Sequence, residues 1–320
     1  MTQTAKALEP SPSPGSNPDL SPNLAQAYAA CRAIARLRAR NFYYAFIALP
    51  PPRRNAICAV YAFMRQADDL TDDETLPRED RRIRLDRWLA SWHEACESGQ
   101  SSELVFTAVL DATRRFSIPL TLLDELVAGT AMDLKPATAD APDTYATFAD
   151  LYRYCYFVAS VVGLVCIRIF GYKDPRAEKL AEETGIAFQL TNILRDVAED
   201  AARNRVYLPL EDFAAHNLAL ESLLARPPAA PPTVEERALL AATAQRAEDF
   251  YRSARKLLPL IDRESRPALW VLVNIYRELL IRIRRADYDV FTHRASVPLW
   301  RKLTILVLGL TRMAWARMLP

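Results

Sequence analysis

The chain has 320 residues, a formal net charge of +2, 51% hydrophobic residues and only seven glycines. A charge so close to neutral gives no basis for nucleic-acid binding. The three histidines and five cysteines lack the spacing of a zinc site, and there is no Gly-x-Gly-x-x-Gly or Walker sequence for a nucleotide. Because few glycines leave few sharp turns of the kind that sheets need, the composition predicts an all-α fold.

The first 24 residues form a segment of their own. Five prolines lie there among Ser, Asn and Gly, and apolar side chains are scarce, so residues 1–24 are expected to form a disordered tail. No apolar run follows Met1, and the cysteines are typical of core thiols, which together predict a cytoplasmic protein without a signal peptide. We expect a single all-α domain over 25–305 and an apolar and basic helix end at 306–320.

Helical periodicity extends over most of the remaining chain. In chain order it predicts helices over 24–40, from about 53 onward, 81–96, 102–116, 120–132, 154–170, from 187 onward, within 210–225, 234–258 and 267–285. The run before Arg168 is apolar for about 14 residues, whereas a membrane-spanning helix needs roughly 20. This run therefore predicts a core helix.

A polar stripe follows one face of the helix predicted from residue 187. Its members recur at intervals of three and four residues and are Gln189, Asn192, Asp196 and Asp200. Apolar residues cover the other faces, as in a helix buried within a bundle. Buried carboxylates one turn apart repel each other unless a cation lies between them, and such hard oxygen ligands suit Mg²⁺ bound to phosphate.

A second stripe of the same form lies near residue 60. It consists of Tyr61, Arg65, Asp68 and Asp72. One Asp-x-x-x-Asp pattern alone is typical of a solvated charged face. Two such stripes, each with an adjoining arginine (Arg65 and Arg195), predict facing helices that hold Mg²⁺ ions and a diphosphate between them.

The two stripes resemble a known pair of motifs. Segments 61–72 and 189–209 are similar to the two aspartate-rich signatures of the squalene/phytoene synthase family of head-to-head prenyl transferases. Weaker similarity covers 42–50, 154–163 and 276–302 and ends in the basic pair Arg301 and Lys302. The resemblance thus spans about residues 30–305 and leaves out the N-terminal tail.

The resemblance implies an isoprenoid-synthase-type helical bundle around a central cavity. It implies two or three Mg²⁺ ions on a prenyl diphosphate, held by Asp68, Asp72, Asn192, Asp196 and Asp200. The four aspartates, Tyr61 and Tyr207 are then the catalytic residues. The expected substrate contacts are Arg40, Asn41, Phe42, Arg65, Gln189, Asn192, Arg195, Arg205 and Tyr288.

One segment departs from the family pattern. Where the family has Ser-x-Ser before the phenylalanine, this chain has Ala39, Arg40 and Asn41 before Phe42. Arg40 and Asn41 can still donate hydrogen bonds to phosphate, but they equally fit the end of a helix.

Two further features have two interpretations each. Gly129 and the small residues Ala159, Ser160 and Gly163 would leave room for a long ligand, or would let helices pack closely. The C-terminal helix, with Trp300 and several cations, suits either peripheral contact with a membrane or burial in the core.

The sequence leaves three hypotheses for function. The first is condensation of two farnesyl diphosphates to presqualene diphosphate and a squalene-type product, with NADPH as the reductant of the final step. The second is a phytoene synthase that uses geranylgeranyl diphosphate. The third is a catalytically inactive helical assembly factor, which retention of all four aspartates disfavours. The absence of the two family serines slightly favours the first hypothesis.

Overall fold

The computed structural model describes residues 21–134, 142–227 and 229–318, without the side chains of Arg40, Asn41, Asp133 and residues 312–318. Residues 1–20 of the predicted tail, and the predicted roles of Arg40 and Asn41, thus fall outside the described part. The end of the tail segment is helical. Ser21 accepts a hydrogen bond from the amide of Leu24 at 3.4 Å and caps a helix that begins at Pro22.

The first half of the described chain forms six α helices. They are α1 (Pro22–Arg38), α2 (Arg40–Ile47), α3 (Pro51–Thr71), α4 (Arg78–Ser98), α5 (Leu104–Phe116) and α6 (Leu120–Ala131), with a 3-10 turn at Met132–Leu134. The sequence did not predict α2. Ala39 keeps right-handed helical angles, φ −75° and ψ −7°, so the chain turns directly from α1 into α2 and carries Phe42 with it.

The second half adds eight helices within the described ranges. They are α7 (Phe148–Cys155), α8 (Val161–Phe170), α9 (Arg176–Ala201), α10 (Leu210–Ala215), α11 (Glu221–Leu224), α12 (Val234–Leu257), α13 (Arg266–Arg285) and α14 (Leu299–Met318). A π-helical turn at Tyr156–Ser160 joins α7 to α8, and a 3-10 turn at Leu258–Leu260 follows α12. Capping boxes at Thr147 and Thr233 define where α7 and α12 begin.

The stretch 187–212 is not helical throughout. Asn204 takes a positive φ of 59°, and the next two residues form β2 (Arg205–Val206). This strand pairs in parallel with β1 (Asp143–Thr144), in the register Asp143 to Arg205. The turn ends α9 after Asp200 and brings Arg205 back towards it.

Apolar residues orient the two aspartate helices. On α3, Ala59, Phe63 and Ala67 are buried at intervals of four residues, as are Ile186, Leu190 and Leu194 on α9. Residues four apart lie on one face of a helix, so each apolar row buries one side of its helix and leaves the carboxylates on another.

The helical run Phe148–Phe170 is a core element. It is 23 residues long, with a mean hydropathy of 1.6 in its most apolar window. A helix of this length and composition could span a membrane, so the 14-residue apolar run was not a sufficient reason to exclude a span. Its packing is nevertheless close. A Cβ added to Gly185 of α9 would lie 2.6 Å from the Cα of Ser160, and one added to Gly129 of α6 would lie 2.8 Å from the carbonyl oxygen of Phe157.

These contacts decide between the two interpretations of the small residues. Gly129, Gly185 and Ser160 let three helices approach one another, because any larger side chain would meet a neighbouring backbone. Ser160 also donates a hydrogen bond to the carbonyl of Glu182 at 2.7 Å. The small residues at these positions therefore serve helix packing.

Candidate active site

The first aspartate stripe lies on the last turns of α3. Arg65 donates a hydrogen bond to Asp69, beside the stripe, and approaches Asp68 to 4.0 Å and Asp72 to 3.9 Å. Asp69 also accepts a hydrogen bond from Arg38 at 2.8 Å. The Asp72 side chain is 64% exposed at the end of the helix. The aspartates of this stripe are therefore only loosely neutralised.

Asp68 faces α6. The hydroxyl of Thr130 donates a hydrogen bond to its carboxylate at 3.3 Å. Burial raises the pKa of Asp68 to about 6, Arg65 opposes the rise, and the like charge of Asp72 adds to it. A cation bound beside Asp68 would favour its ionised form.

Asp196, on α9, is paired with two arginines. Arg195 donates from Nε to Oδ1 at 2.8 Å and from Nη2 to Oδ2. Arg294, between α13 and α14, donates to Oδ1 at 2.7 and 3.0 Å. Burial alone would raise the pKa of Asp196, but the hydrogen bonds from the two arginines lower it below its ordinary value. Asp196 is therefore held ionised, with both of its oxygens engaged.

Asp200 lies one turn beyond Asp196 in a different environment. Burial raises the pKa of Asp200 to about 7, the charge of Asp196 adds to the rise, and Arg205 and Arg203 oppose it. Arg205 itself lies 3.9 Å from Asp143 across the two short strands. The two aspartates of this stripe thus have pKa values shifted in opposite directions.

Asn192 has a buried oxygen without a donor. Its amide nitrogen donates to Gln189 at 3.3 Å, and its side chain also hydrogen-bonds the hydroxyl of Tyr276 on α13. Burial raises the pKa of Tyr276 to about 12, with Arg195 and Asn192 opposing the rise, so the phenol stays protonated. No described residue donates to the buried Oδ1 of Asn192. A hard cation would satisfy such an oxygen beside two carboxylates.

A cavity of about 580 Å³ lies between the two aspartate helices. Tyr61 of the first stripe and Asn192 of the second both line it, so both aspartate helices border one cavity, whereas none of the four aspartates belongs to its described lining. Its described lining includes four cationic side chains, which are Arg38, Arg195, Arg294 and Lys302. A cavity with this lining is suited to a polyanion such as diphosphate.

Aromatic side chains form the rest of the wall. Phe42 and Tyr61 line the cavity together with Tyr276, whose ring centroid lies 5.6 Å from that of Phe42. Phe188 stacks on Tyr276 with a centroid distance of 4.5 Å. These aromatic side chains lie in the same cavity wall as the cations, where aromatic rings can stabilise a positive charge that develops on a ligand.

A model of the squalene/phytoene synthase family matches residues 35–301 of this sequence, which is most of the chain. The chain belongs to this family. It is therefore a prenyltransferase, and the catalytically inactive alternative has no support.

Full-length relatives agree with the family assignment. The 15-cis-phytoene synthase of Synechococcus elongatus is 33% identical over 91% of this chain and 94% of its own. The phytoene synthase of Arthrospira platensis is 35% identical over 89% of this chain and 93% of its own. Both alignments cover the two aspartate helices within nearly whole chains.

Solved structures show the same fold. A dehydrosqualene synthase in complex with a ligand superimposes with a TM-score of 0.79 at 29% identity, covering 91% of this chain and 98% of its own. A squalene synthase of Alicyclobacillus acidocaldarius gives a TM-score of 0.75 at 26% identity, covering 84% and 97%. The predicted all-α isoprenoid synthase fold is confirmed.

The prenyltransferase family uses a divalent metal with its diphosphate substrates, and the residues present fit such an ion. Asn192 offers an unpaired buried oxygen, and Asp68 and Asp200 have raised pKa values that a cation would lower. In the described ranges no three His, Cys, Asp or Glu side chains are close enough to hold a metal by themselves. A metal here would complete its ligands with water and diphosphate oxygens, as Mg²⁺ commonly does.

The structure places the remaining expected residues of the prenyltransferase site at varying distances from the cavity. Tyr207 stacks on Tyr154 with a centroid distance of 5.0 Å and lines a small cleft with Asp200 and Arg205. Tyr288, just after α13, has a positive φ of 59° and is absent from the described lining of the cavity. The resemblance gave both Tyr276 and Tyr288 as aromatic positions near the pocket, and of the two only Tyr276 is in the described lining of the cavity.

Sequence reasoning missed Arg38 and Arg294 altogether. Arg294 contacts Asp196 from 98 positions further along the chain, and only the weak similarity over 276–302 pointed to its segment. Arg38 is the last residue of α1 and reaches the cavity from there. Neither residue lies within an aspartate-rich motif, so spacing could not connect it to the site.

Proposed function

We propose that this prenyltransferase joins two geranylgeranyl diphosphates head to head and forms phytoene. The reaction class rests on one observation, the meeting of both aspartate helices at a single cavity with cationic and aromatic walls. The product rests on the relatives of 33% and 35% identity, which are named phytoene synthases. These names favour the alternative that the sequence ranked second over the farnesyl-using squalene branch.

In the proposed mechanism, Asp68, Asp72, Asn192, Asp196 and Asp200 would hold two or three Mg²⁺ ions. When bound, the metal neutralises the leaving diphosphate and so favours cleavage of the allylic C–O bond. Arg38, Arg195 and Lys302 bind the phosphate oxygens from the cavity wall. Arg65 lies near Asp72, and Arg205 lies near Asp200. We assign these two arginines to the second diphosphate.

The chain must then protect an allylic cation from water. Phe42, Tyr61 and Tyr276 line the cavity, and aromatic rings stabilise positive charge without reacting with it. The phenol of Tyr276 stays neutral because burial raises its pKa to about 12, so it does not become a nucleophilic phenolate. Tyr207 lies beside Asp200 and is proposed to orient that carboxylate.

Phytoene formation ends with the loss of a proton. It needs no hydride donor, whereas squalene formation needs a reduction in its final step. The proposal therefore includes Mg²⁺ and excludes NADPH from the reaction.

One incubation series tests the product. The enzyme receives farnesyl or geranylgeranyl diphosphate with Mg²⁺, with and without NADPH, and the extracts are analysed by mass spectrometry. We expect phytoene from geranylgeranyl diphosphate, no dependence on NADPH, and little product from farnesyl diphosphate. Squalene that forms only with farnesyl diphosphate and NADPH would contradict the proposal.

We also propose that the cytoplasmic enzyme works against a membrane surface. The outer face of α14 exposes Trp300, Leu303 and Val307, with side chains 63%, 44% and 56% exposed. Arg301 and Lys302 lie beside this face, and Lys302 also lines the cavity. An amphipathic helix of this kind binds anionic interfaces and would bring the cavity close to lipid, where prenyl chains dissolve.

Sedimentation with vesicles tests this surface. Trp300→Ser with Val307→Ser should reduce binding to vesicles that contain anionic lipid, and Leu37→Ser, an exposed residue of α1, is the control. Equal binding of all variants would contradict the assignment of α14.

A further inference from the structure

Arg294 cannot bind a diphosphate in the cavity and keep all of its present carboxylate partners. It lines the cavity proposed to receive the diphosphate, yet its guanidinium is bonded to carboxylates. Two of its nitrogens lie 2.7 and 3.0 Å from Asp196 Oδ1, and Nε lies 3.0 Å from Glu199. Its side chain is 47% exposed and belongs to segment 286–298, between α13 and α14.

A metal ion that binds through Oδ1 of Asp196 would have to displace Arg294. Oδ1 accepts from Arg294 and Arg195, and Oδ2 accepts from Arg195. Oδ2 keeps a lone pair, but Oδ1 has none left while Arg294 donates to it, and a metal ion at either oxygen repels the neighbouring guanidinium groups.

Arg294 is the partner better placed to leave. Arg195 precedes Asp196 on the same helix and its side chain is only 20% exposed, whereas Arg294 reaches α9 from a separate segment. Glu199, 49% exposed, would keep Arg294 near the cavity after it leaves Asp196.

We propose that Arg294 is an exchangeable latch. It neutralises Asp196 in the metal-free enzyme and transfers to the diphosphate when metal and substrate enter together. The latch rests on the proposed diphosphate and metal chemistry, but it does not depend on prenyl chain length. It makes the site favour the metal–diphosphate complex over the metal alone, because only the complex gives Arg294 a new anionic partner.

The test separates binding of the metal alone from binding of the complex. Mn²⁺ binding to the substrate-free protein is measured by electron paramagnetic resonance, and inorganic pyrophosphate binding with Mg²⁺ by calorimetry. The variants are Arg294→Gln and Arg294→Lys. The matched control is Arg237→Gln, because Arg237 pairs with Asp287 of the same segment but does not touch Asp196.

The latch predicts changes of opposite sign. Arg294→Gln should bind Mn²⁺ about three- to tenfold more tightly, since one competing charge is gone. It should bind pyrophosphate with Mg²⁺ at least about tenfold more weakly, since a charge-assisted hydrogen bond is lost. Arg294→Lys should recover part of the pyrophosphate affinity, and Arg237→Gln should match the wild type in both titrations.

A purely structural role gives a different pattern. If Arg294→Gln weakens both affinities or changes neither, or if Arg237→Gln behaves like it, the latch is wrong. A wild-type enzyme that binds pyrophosphate with Mg²⁺ and shows these changes, but makes no phytoene, would support the latch and overturn only the proposed product.

Discussion

The two aspartate helices have the same sequence pattern and different electrostatics. On α3, Arg65 is drawn to Asp69, and the stripe aspartates stay nearly 4 Å from it. On α9, Asp196 is bonded to two arginines while Asp200, one turn away, has a pKa raised to about 7. The second helix thus carries one neutralised carboxylate and one with a raised pKa, whereas on the first helix Asp68 has a raised pKa and Asp72 is exposed. Equal spacing does not imply equal charge states, because neighbours from distant segments set the pKa of each carboxylate.

The largest expected effect comes from Asp196→Asn. Turnover should fall by about 10³-fold, since a proposed metal ligand is lost at the leaving group. The metal-free fold should lose about 1–3 kcal/mol of stability, because the partly buried Arg195 loses its carboxylate. Steady-state kinetics and urea unfolding of the metal-free protein measure both effects. Unchanged stability would show that the arginine pairs contribute little.

Asp200→Asn should sharpen the contrast through its pH dependence. The folded pKa of Asp200 is about 7, above its ordinary value of 3.8, so the native state binds more protons than the unfolded state between these pH values. The contribution of Asp200 to wild-type stability should therefore fall as pH rises from about 4 to about 7. Asp200→Asn should remove this fall and gain about 1–3 kcal/mol at pH 8 in EDTA, but nothing at pH 4.

Asp196 should show the opposite pH dependence. Its folded pKa is lowered, so its contribution to stability is present above the unfolded pKa and is lost as pH falls through the folded value. Unfolding of Asp196→Asn should accordingly lack a part of the acid destabilisation seen in the wild type. Parallel pH profiles for Asp196→Asn and Asp200→Asn would mean that the two carboxylates do not differ.

Asp69→Asn tests whether Asp69 holds Arg65 and Arg38 away from the substrate. The change releases Arg65 and Arg38 from a competing carboxylate, so both become more available to a diphosphate. We expect KM to fall about two- to fivefold, with kcat within about twofold of the wild type. A large fall in kcat would instead show that Asp69 belongs to the metal site.

The smallest effects are expected just beyond the first stripe. Asp73 is bonded to Thr75 and Arg84, and Glu74 is exposed, so neither has a part in the proposed site. Asp73→Asn and Glu74→Gln should each change kcat/KM by less than about twofold. Losses comparable to that of Asp196→Asn would contradict the assignment of the stripe by helical face.

Local chemistry explains what could be predicted from the sequence. Helix boundaries followed from prolines, caps and apolar periodicity, so most predicted helices agree with the structure to within a few residues. The two stripes followed from residue spacing, since side chains three and four apart share a face whatever the fold. The all-α fold followed from composition and helical periodicity, and the family and the prenyltransferase class followed from the resemblance of the two stripes to known motifs.

Only the tertiary structure decided which partners each stripe residue has. Arg294, Arg38 and Tyr276 reach the site from segments whose local pattern is that of ordinary helices and loops. The opposite pKa shifts of Asp196 and Asp200 depend on those partners and on burial, which are not encoded in spacing. Likewise, the packing role of Gly129 became evident only when the backbone of Phe157 was found against it. A sequence fixes which side chains share a helix face, but long-range packing determines the charges and surfaces which that face meets.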